Sequence, residues 1–393
     1  MAATGATRSF LHQTRSYLHS PFTPLLFFVP LGLVSAHQDS GAINPLLVFA
    51  LNGLGIIPLA NLISSSVEEI SEHLGDQWGG FLNATFGNLV ELVVAYSALT
   101  GGLYEVVLDG LVGGLVTNLL LVLGVAAVVG GIRFHQMRFN ANTSLLNAKL
   151  LLAVMLVAFV PSTLLHFGIF QSSQHHRDYS TLVSIVLLVF YGLSYVYQFF
   201  THGKLFNESS LPFATDDLIE TNSESGGSHA SQDSTAPSSD RTALLAALAV
   251  LLATTVVLVF SSEALVDGLA TSVQRFKLNN FFTGVFLLPL FGSAAEFVIC
   301  LRAAQRNRMD LAVATTVGSS IQIVLFVLPL LVLIGSFIGH PLTIFFSPEA
   351  MVAVTASVFA VQWVTEDSTI DWFEGSFLLL VYVLLFASTF FLL

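Results

Sequence analysis

Long apolar runs separated by short polar breaks dominate this chain, a pattern that a water-soluble domain does not show. A bilayer core needs ~20 apolar residues per helical crossing, and the runs predict eleven helices. The first six fall near 23–37, 45–64, 80–101, 106–131, 148–168 and 180–200. The other five fall near 243–265, 281–301, 311–338, 343–363 and 375–393. The first is short and interrupted by Pro30. Residues 201–241 differ in kind, with stretches such as SESGGSHASQDSTAPSSD and almost no bulky apolar groups. Such a segment cannot bury enough surface to offset its ordering entropy, so a flexible loop is expected. The pattern predicts an all-α polytopic membrane protein.

Composition agrees with the pattern. Only 10% of the 393 residues are charged and 54% are hydrophobic, whereas a soluble protein carries about 25% charged residues. A net charge of −12 argues against a nucleic-acid partner. The single cysteine, Cys300, lies in an apolar run and excludes a disulfide framework. The first twenty residues hold Arg8 and Arg15 but no apolar core, so no cleavable signal is expected ahead of the first span. Lys and Arg positions then set the orientation. With a cytosolic N-terminus, ten basic residues lie inside (Arg8, Arg15, Arg133, Arg138, Lys149, Lys204, Arg241, Arg302, Arg306 and Arg308). Only Arg177, Arg275 and Lys277 lie outside. The sequons at Asn142 and Asn207 would then face the cytosol and stay unglycosylated.

The chain also repeats itself at an offset of 205 residues. Phe86-Gly87-Asn88-Leu89-Val90-Glu91 lies over Phe291-Gly292-Ser293-Ala294-Ala295-Glu296. The same register pairs Phe81-Leu82 with Phe286-Leu287, Glu105 with Asp310, Gly113 with Gly318 and Leu120 with Leu325. It ends at Val122-Leu123 over Val327-Leu328. Each unit would hold five helices, the second to sixth and the seventh to eleventh. Because five is odd, the second copy is inverted, and inverted repeats set their related segments face to face near the midplane. The expected organisation is an N-terminal segment with the first helix (1–42), a first repeat (43–200), a cytosolic loop (201–241) and a second repeat (242–393).

A carboxylate inside a bilayer is costly and marks a functional candidate. The spans of Glu91 and Glu263 hold no basic residue, and that of Glu296 has only Arg302 at its end. The counter-charge must therefore arrive as a metal ion or as protons. Two carboxylates close together in a low dielectric resist being charged at once, so cation and protons compete for them. Asn88 and Glu91 are three apart and share a helical face, as do Ser293 and Glu296. Gly87, Gly292 and Pro289 weaken the helices just before each acid, freeing backbone carbonyls that suit hard cations. Thr117, Asn118, Ser319, Ser320 and Gln322 offer further oxygens, and Gly110 and Gly114 permit close helix packing. The polar groups among these also fit a helix-bridging role. Glu68, Glu69 and Glu263 follow runs of serine at span ends, where lining an ion path and facing interfacial water both remain open. Asp267, Glu105, Asp109 and Asp310 read as solvated helix ends, and Glu366, Asp367, Asp371 and Glu374 as a wet loop. His175-His176-Arg177 reads as a solvated loop rather than a metal site.

The segment Gly79–Leu92 (GGFLNATFGNLVEL) closely resembles the first signature of the CAX-type calcium/proton exchangers, within the calcium/cation antiporter superfamily. Leu288–Glu296 (LPLFGSAAE) resembles the second, and Asn307–Ala312 and Gly318–Ile323 follow it as they do in that family. The resemblance runs from about residue 45 to the end. It implies eleven spans, a cytosolic loop after the sixth, and calcium exchanged for protons across a vacuolar or similar membrane. It also implies that Glu91 and Glu296 alternately hold cation and protons beside Asn88, with Glu69 and Glu263 gating or relaying. The second signature usually reads Gly-Asn-Ala-Ala-Glu-His, and here Ser293 and Phe297 replace the asparagine and histidine. That change leaves Mn2+, Na+ or K+ as alternative cargo. A channel would not need duplicated acids, and no HExxH helix or nucleophile elbow points to an intramembrane enzyme. No cofactor is expected beyond the transported ions, and the expected partners are the cation, protons and the bilayer.

Overall fold

A computed structural model describes residues 22–38, 43–74, 79, 82, 85–169, 172–202, 241–277 and 279–391. The first half holds α1 (Thr23–Ala36), α2 (Pro45–Leu74), α3 (Leu89–Thr100), α4 (Tyr104–Phe134), α5 (Ala141–His166) and α6 (Ser173–Thr201). The second holds α7 (Arg241–Phe276) and α8, whose arms Asn280–Gly292 and Ala294–Gln305 meet at 63°. It continues with α9 (Met309–Ile338), α10 (Pro348–Val364) and α11 (Trp372–Phe391). Among the described residues, seven single helices are long and apolar enough to cross a bilayer, the bent α8 makes an eighth, and α1, α3 and α10 are shorter. The protein is an all-α polytopic membrane protein built on two inverted repeats. Most of the loop predicted over 201–241 lies outside the described residues, as do Arg8, Arg15, Lys204, Asn207 and Phe81.

The repeat register of the sequence reappears in the helix bounds. Leu89–Thr100 maps by the 205-residue offset onto Ala294–Gln305, and the start of α4 at Tyr104 maps onto the start of α9 at Met309. Both α4 and α9 loosen into a π-helical stretch at corresponding places, Thr117–Val122 and Ile323–Val327. These two helices are the most buried of the long described helices, and α6 is the most exposed. Because lipid is as apolar as leucine, close helix contact in a bilayer relies on small residues. A Cβ on Gly113 of α4 would strike the Val285 carbonyl of α8, so these backbones touch. Gly124 of α4 and Gly375 of α11 face each other likewise: a Cβ on Gly375 would lie 2.8 Å from the Gly124 carbonyl oxygen. The most extensive helix pair is α2 against α7.

Two loop expectations change. The tenth run becomes helical only at Pro348, and residues 340–347 are not helical. Gly339 (φ 82°) closes α9 in the left-handed region, and Pro341 and Pro348 each lack a backbone N–H. Buried Ile344 and Phe346 donate their backbone N–H groups to Ser180 Oγ (3.2 Å) and Ser162 Oγ (2.8 Å). The acidic loop is also ordered: β2 (Thr369–Asp371) pairs antiparallel with β1 (Gln136–Arg138). Asp371 Oδ1 accepts from the N–H groups of Phe373 (2.8 Å) and Glu374 (2.9 Å), while Glu374 Oε2 accepts from Asp371 N–H (2.9 Å). That reciprocal pair is a capping box at the start of α11.

Candidate functional site

The two signature acids sit one turn inside interrupted helices. The interruption covers Gly87 and Asn88 (φ −107°, ψ 26°) in the first repeat and falls at Ser293 (φ −79°, ψ 5°), just past Gly292, in the second. Asn and Ser favour helix starts, and each carbonyl here accepts the first bond of the following helix. Leu92 N–H donates to Asn88 O and Phe297 N–H to Ser293 O, both at 3.0 Å. Neither side chain caps its helix, so both are released to face the protein interior. Glu91 and Glu296 then stand three residues into their helices, where the positive end of the helix dipole favours a carboxylate.

The half-helices bring the acids together across the repeat boundary. Glu91 and Glu296 lie within electrostatic reach of each other. A Cβ on Gly292 would sit 3.6 Å from Glu91 Oε1, which shows how near the first repeat's acid comes to the second repeat's break. Glu91 Oε1 and Glu296 Oε2 are buried without a hydrogen-bond partner, and so are Ser293 Oγ and Asn118 Oδ1. Unpartnered buried oxygens are costly. Carboxylate and neutral oxygens are the type of ligand that a hard cation recruits.

Four of the predicted polar residues form one network. Ser319 Oγ donates to Asn88 Oδ1 (2.7 Å), Asn118 Nδ2 donates to Ser319 Oγ (3.1 Å), and Asn88 Nδ2 donates to Gln322 Oε1. It ties the break before α3 to α4 and α9. Thr117, on the π-helical stretch of α4, lies near the Tyr382 hydroxyl of α11, and its Oγ1 is buried without a hydrogen-bond partner. On the other side, Glu91, Ser293, Gly110, Gly114, Val94 and Leu288 help line a cavity of about 40 Å³. Its apolar walls lie in the half of the bundle that carries the α3–α4 and α7–α8 turns.

Not every predicted residue joins this cluster. Glu69 is part-buried near the C-terminal end of α2. Glu263 is exposed on α7, on the stripe that also shows Val256, Phe260 and Asp267. His175 and His176 belong to α6 rather than to a loop. Asp109 departs most from expectation: it is 6% exposed and not a solvated helix end. It packs against Gly284 of α8, with Glu105 and Glu349 in electrostatic reach. The sequence carried no local sign of this, because the residue that covers Asp109 belongs to the other repeat. Glu105 itself accepts a hydrogen bond from Asn280 Nδ2 (3.0 Å).

The fold agrees with known proteins that are similar to the chain. The family described as sodium/calcium exchanger protein matches residues 44–200 and 246–391, and the chain belongs to that family. The chain is 34% identical over 378 residues to the Ca(2+)/H(+) antiporter of Aphanothece halophytica, covering 94% of this chain and 96% of that protein. Identity to the vacuolar calcium ion transporter of Schizosaccharomyces pombe is 32% over 390 residues, covering 98% of this chain and 87% of the relative. The structure of native YfkE matches with a TM-score of 0.74 at 29% identity, over 95% of this chain and 100% of that one.

Proposed function

We propose that the chain is a secondary active antiporter that exchanges Ca2+ for H+ by alternating access, in the vacuolar membrane. The observation that carries this reading is the pair of repeat-related glutamates, each with a buried carboxyl oxygen that has no partner. An empty pair bears negative charge in a low dielectric; one divalent cation or two protons neutralise it. Ion and protons therefore compete for the same oxygens, and only a neutralised site moves between its two exposures at low cost. The names of the relatives, a Ca(2+)/H(+) antiporter and a vacuolar calcium ion transporter, support Ca2+ as the cation.

Asn88 and Ser293 complete the cation's shell, Asn118, Ser319 and Gln322 hold Asn88 in place, and Thr117 borders the site. Glu69 and Glu263 relay ions between the pair and the aqueous phases. The exposed stripe of α7 that bears Glu263 and Asp267 supports this role, since a carboxylate there needs water rather than lipid beside it. The N-terminus and residues 201–241 face the cytosol, a reading supported by the basic bias. The β1–β2 pairing and the bond from Arg133 Nη1 to the Gln305 carbonyl (3.4 Å) support it too, since they gather basic helix ends on one side. The two family-matched stretches support repeats at 43–200 and 242–393, with 1–42 as an N-terminal segment. The chemistry needs no prosthetic group and no covalent step.

The test is ion uptake by purified protein in sealed vesicles with an acidic interior. Ca2+ is expected to accumulate while the gradient lasts and to stop when a protonophore collapses it. Glu91→Gln and Glu296→Gln should each abolish accumulation. Equal uptake with and without the gradient would overturn the reading.

A further inference from the structure

The repeat register places Ser293 where the first half has Asn88, but the walls that face them differ. Asn88 meets Ser319 and Gln322 of α9, accepts from one and donates to the other, and so closes its side of the site. The residues at the equivalent places on α4 are Gly114 and Thr117. Gly114 offers no side chain, and Thr117 lies beside Tyr382 of α11 with its Oγ1 buried and unpartnered, so neither holds Ser293 as Ser319 and Gln322 hold Asn88. Ser293 is 3% exposed, its hydroxyl has no partner, and it shares the cavity of about 40 Å³ with Gly114 and Glu91. A water needs roughly 10–15 Å³ on this measure and two or more polar partners. The cavity meets both conditions, with Glu91 and Ser293 as the polar partners. One half of the site is thus closed by fixed amides, and the other holds room for water.

We propose that Ser293 is the specificity-determining residue of the exchanger: the cation between Glu91 and Glu296 keeps a water on the Ser293 side, and the site therefore separates Ca2+ poorly from the smaller Mn2+. This rests on the antiporter reading above. A side-chain carbonyl held at this place would present its oxygen at one distance and suit one ion radius. A water follows the ion instead, so ions of different radius each find their preferred contact. Ca2+ accepts a flexible shell of six to eight oxygens, and carboxylate and water also suit Mn2+. Mg2+ dehydrates reluctantly and is the poor substrate of the three.

The experiment measures gradient-driven Ca2+ uptake into vesicles in competition with Mn2+ and Mg2+. The probes are the wild-type chain, Ser293→Asn, which fills the cavity with an amide, and Gly114→Ser, which adds a hydroxyl to the opposite wall, its Cβ 3.1 Å from Ile323 Cδ1. In the wild type, the Mn2+ concentration that halves uptake is expected within about tenfold of that for unlabelled Ca2+, with Mg2+ far weaker. Either substitution should raise the preference for Ca2+ over Mn2+ by about tenfold. A wild type that prefers Ca2+ over Mn2+ by a hundredfold or more overturns the proposal even if both variants fail to fold. So does a transporting Ser293→Asn variant with an unchanged ratio. Absence of gradient-driven Ca2+ uptake by the wild type would instead overturn the antiporter reading itself.

Discussion

Asn88 and Ser293 hold equivalent places in the two repeats and make different contacts, and the difference is a matter of single side chains. Replacing Asn88 by Ala strips Ser319 of its acceptor and Gln322 of its donor inside the bundle. Side-chain hydrogen bonds between membrane helices are worth ~0.6–1.7 kcal/mol each. Asn88→Ala should therefore lower the thermal midpoint in detergent by several degrees and reduce exchange together with it; an unchanged midpoint would remove the network from the account. Asp109 offers the opposite sign. It is buried with Glu105 and Glu349 in electrostatic reach, so Asp109→Asn removes a charge with like-charged neighbours and should raise the midpoint at neutral pH. A drop would mean that the charge has a compensating partner. The glutamates and Asn88 were legible in the sequence because a costly residue recurs in register. The burial of Asp109 was not, because it depends on Gly284 in the other repeat, where the register pairs Asp109 with Ala314.

At the level of helices, apolar length and proline positions carry most of what can be read. Each of the eleven runs predicted by length holds a helix among the described residues, but three of these helices are shorter than a span, and run length alone did not locate the start of the tenth. Residues 343–347 are as apolar as a span, but the two prolines and the left-handed Gly339 hold the segment out of helical geometry. The glycines did locate the breaks to within a residue: the first covers Gly87 and Asn88, and the second falls at Ser293, directly after Gly292. The capping box at Asp371 and Glu374 was hidden, since its spacing shows only once β2 fixes where α11 begins. Asp371→Ala removes two acceptor contacts and should cost about 1 kcal/mol, read as a lower thermal midpoint with exchange retained. The α4–α8 contact is less tolerant. A side chain on Gly113 would meet the Val285 carbonyl, so Gly113→Val should cost ~1–3 kcal/mol or more and reduce the yield of folded protein. A fully stable Gly113→Val variant would show that the backbones do not touch there.

The whole molecule is two copies of one unit, inverted about the pair of acids and unequal at the site itself. Exchange between two compartments requires that the glutamates be reached from either end in turn, and an inverted pair of repeats permits this. Inequality gives the site its chemistry, with one side held by amides and the other open to water. Lowering the pH on the side where the cation binds should weaken its uptake, because protonated Glu91 and Glu296 no longer attract it. Uptake from that side is therefore expected to fall steadily as that side is acidified. The central claim is that cation and proton use the same two carboxylates, and it is tested most directly by following protons. Vesicles containing the protein and a trapped pH-sensitive dye, with no gradient imposed, should move protons outward when Ca2+ is added outside. Glu91→Gln and Glu296→Gln vesicles should move none. Ca2+ entry by the wild type without proton movement, or normal proton movement in either variant, would contradict the account.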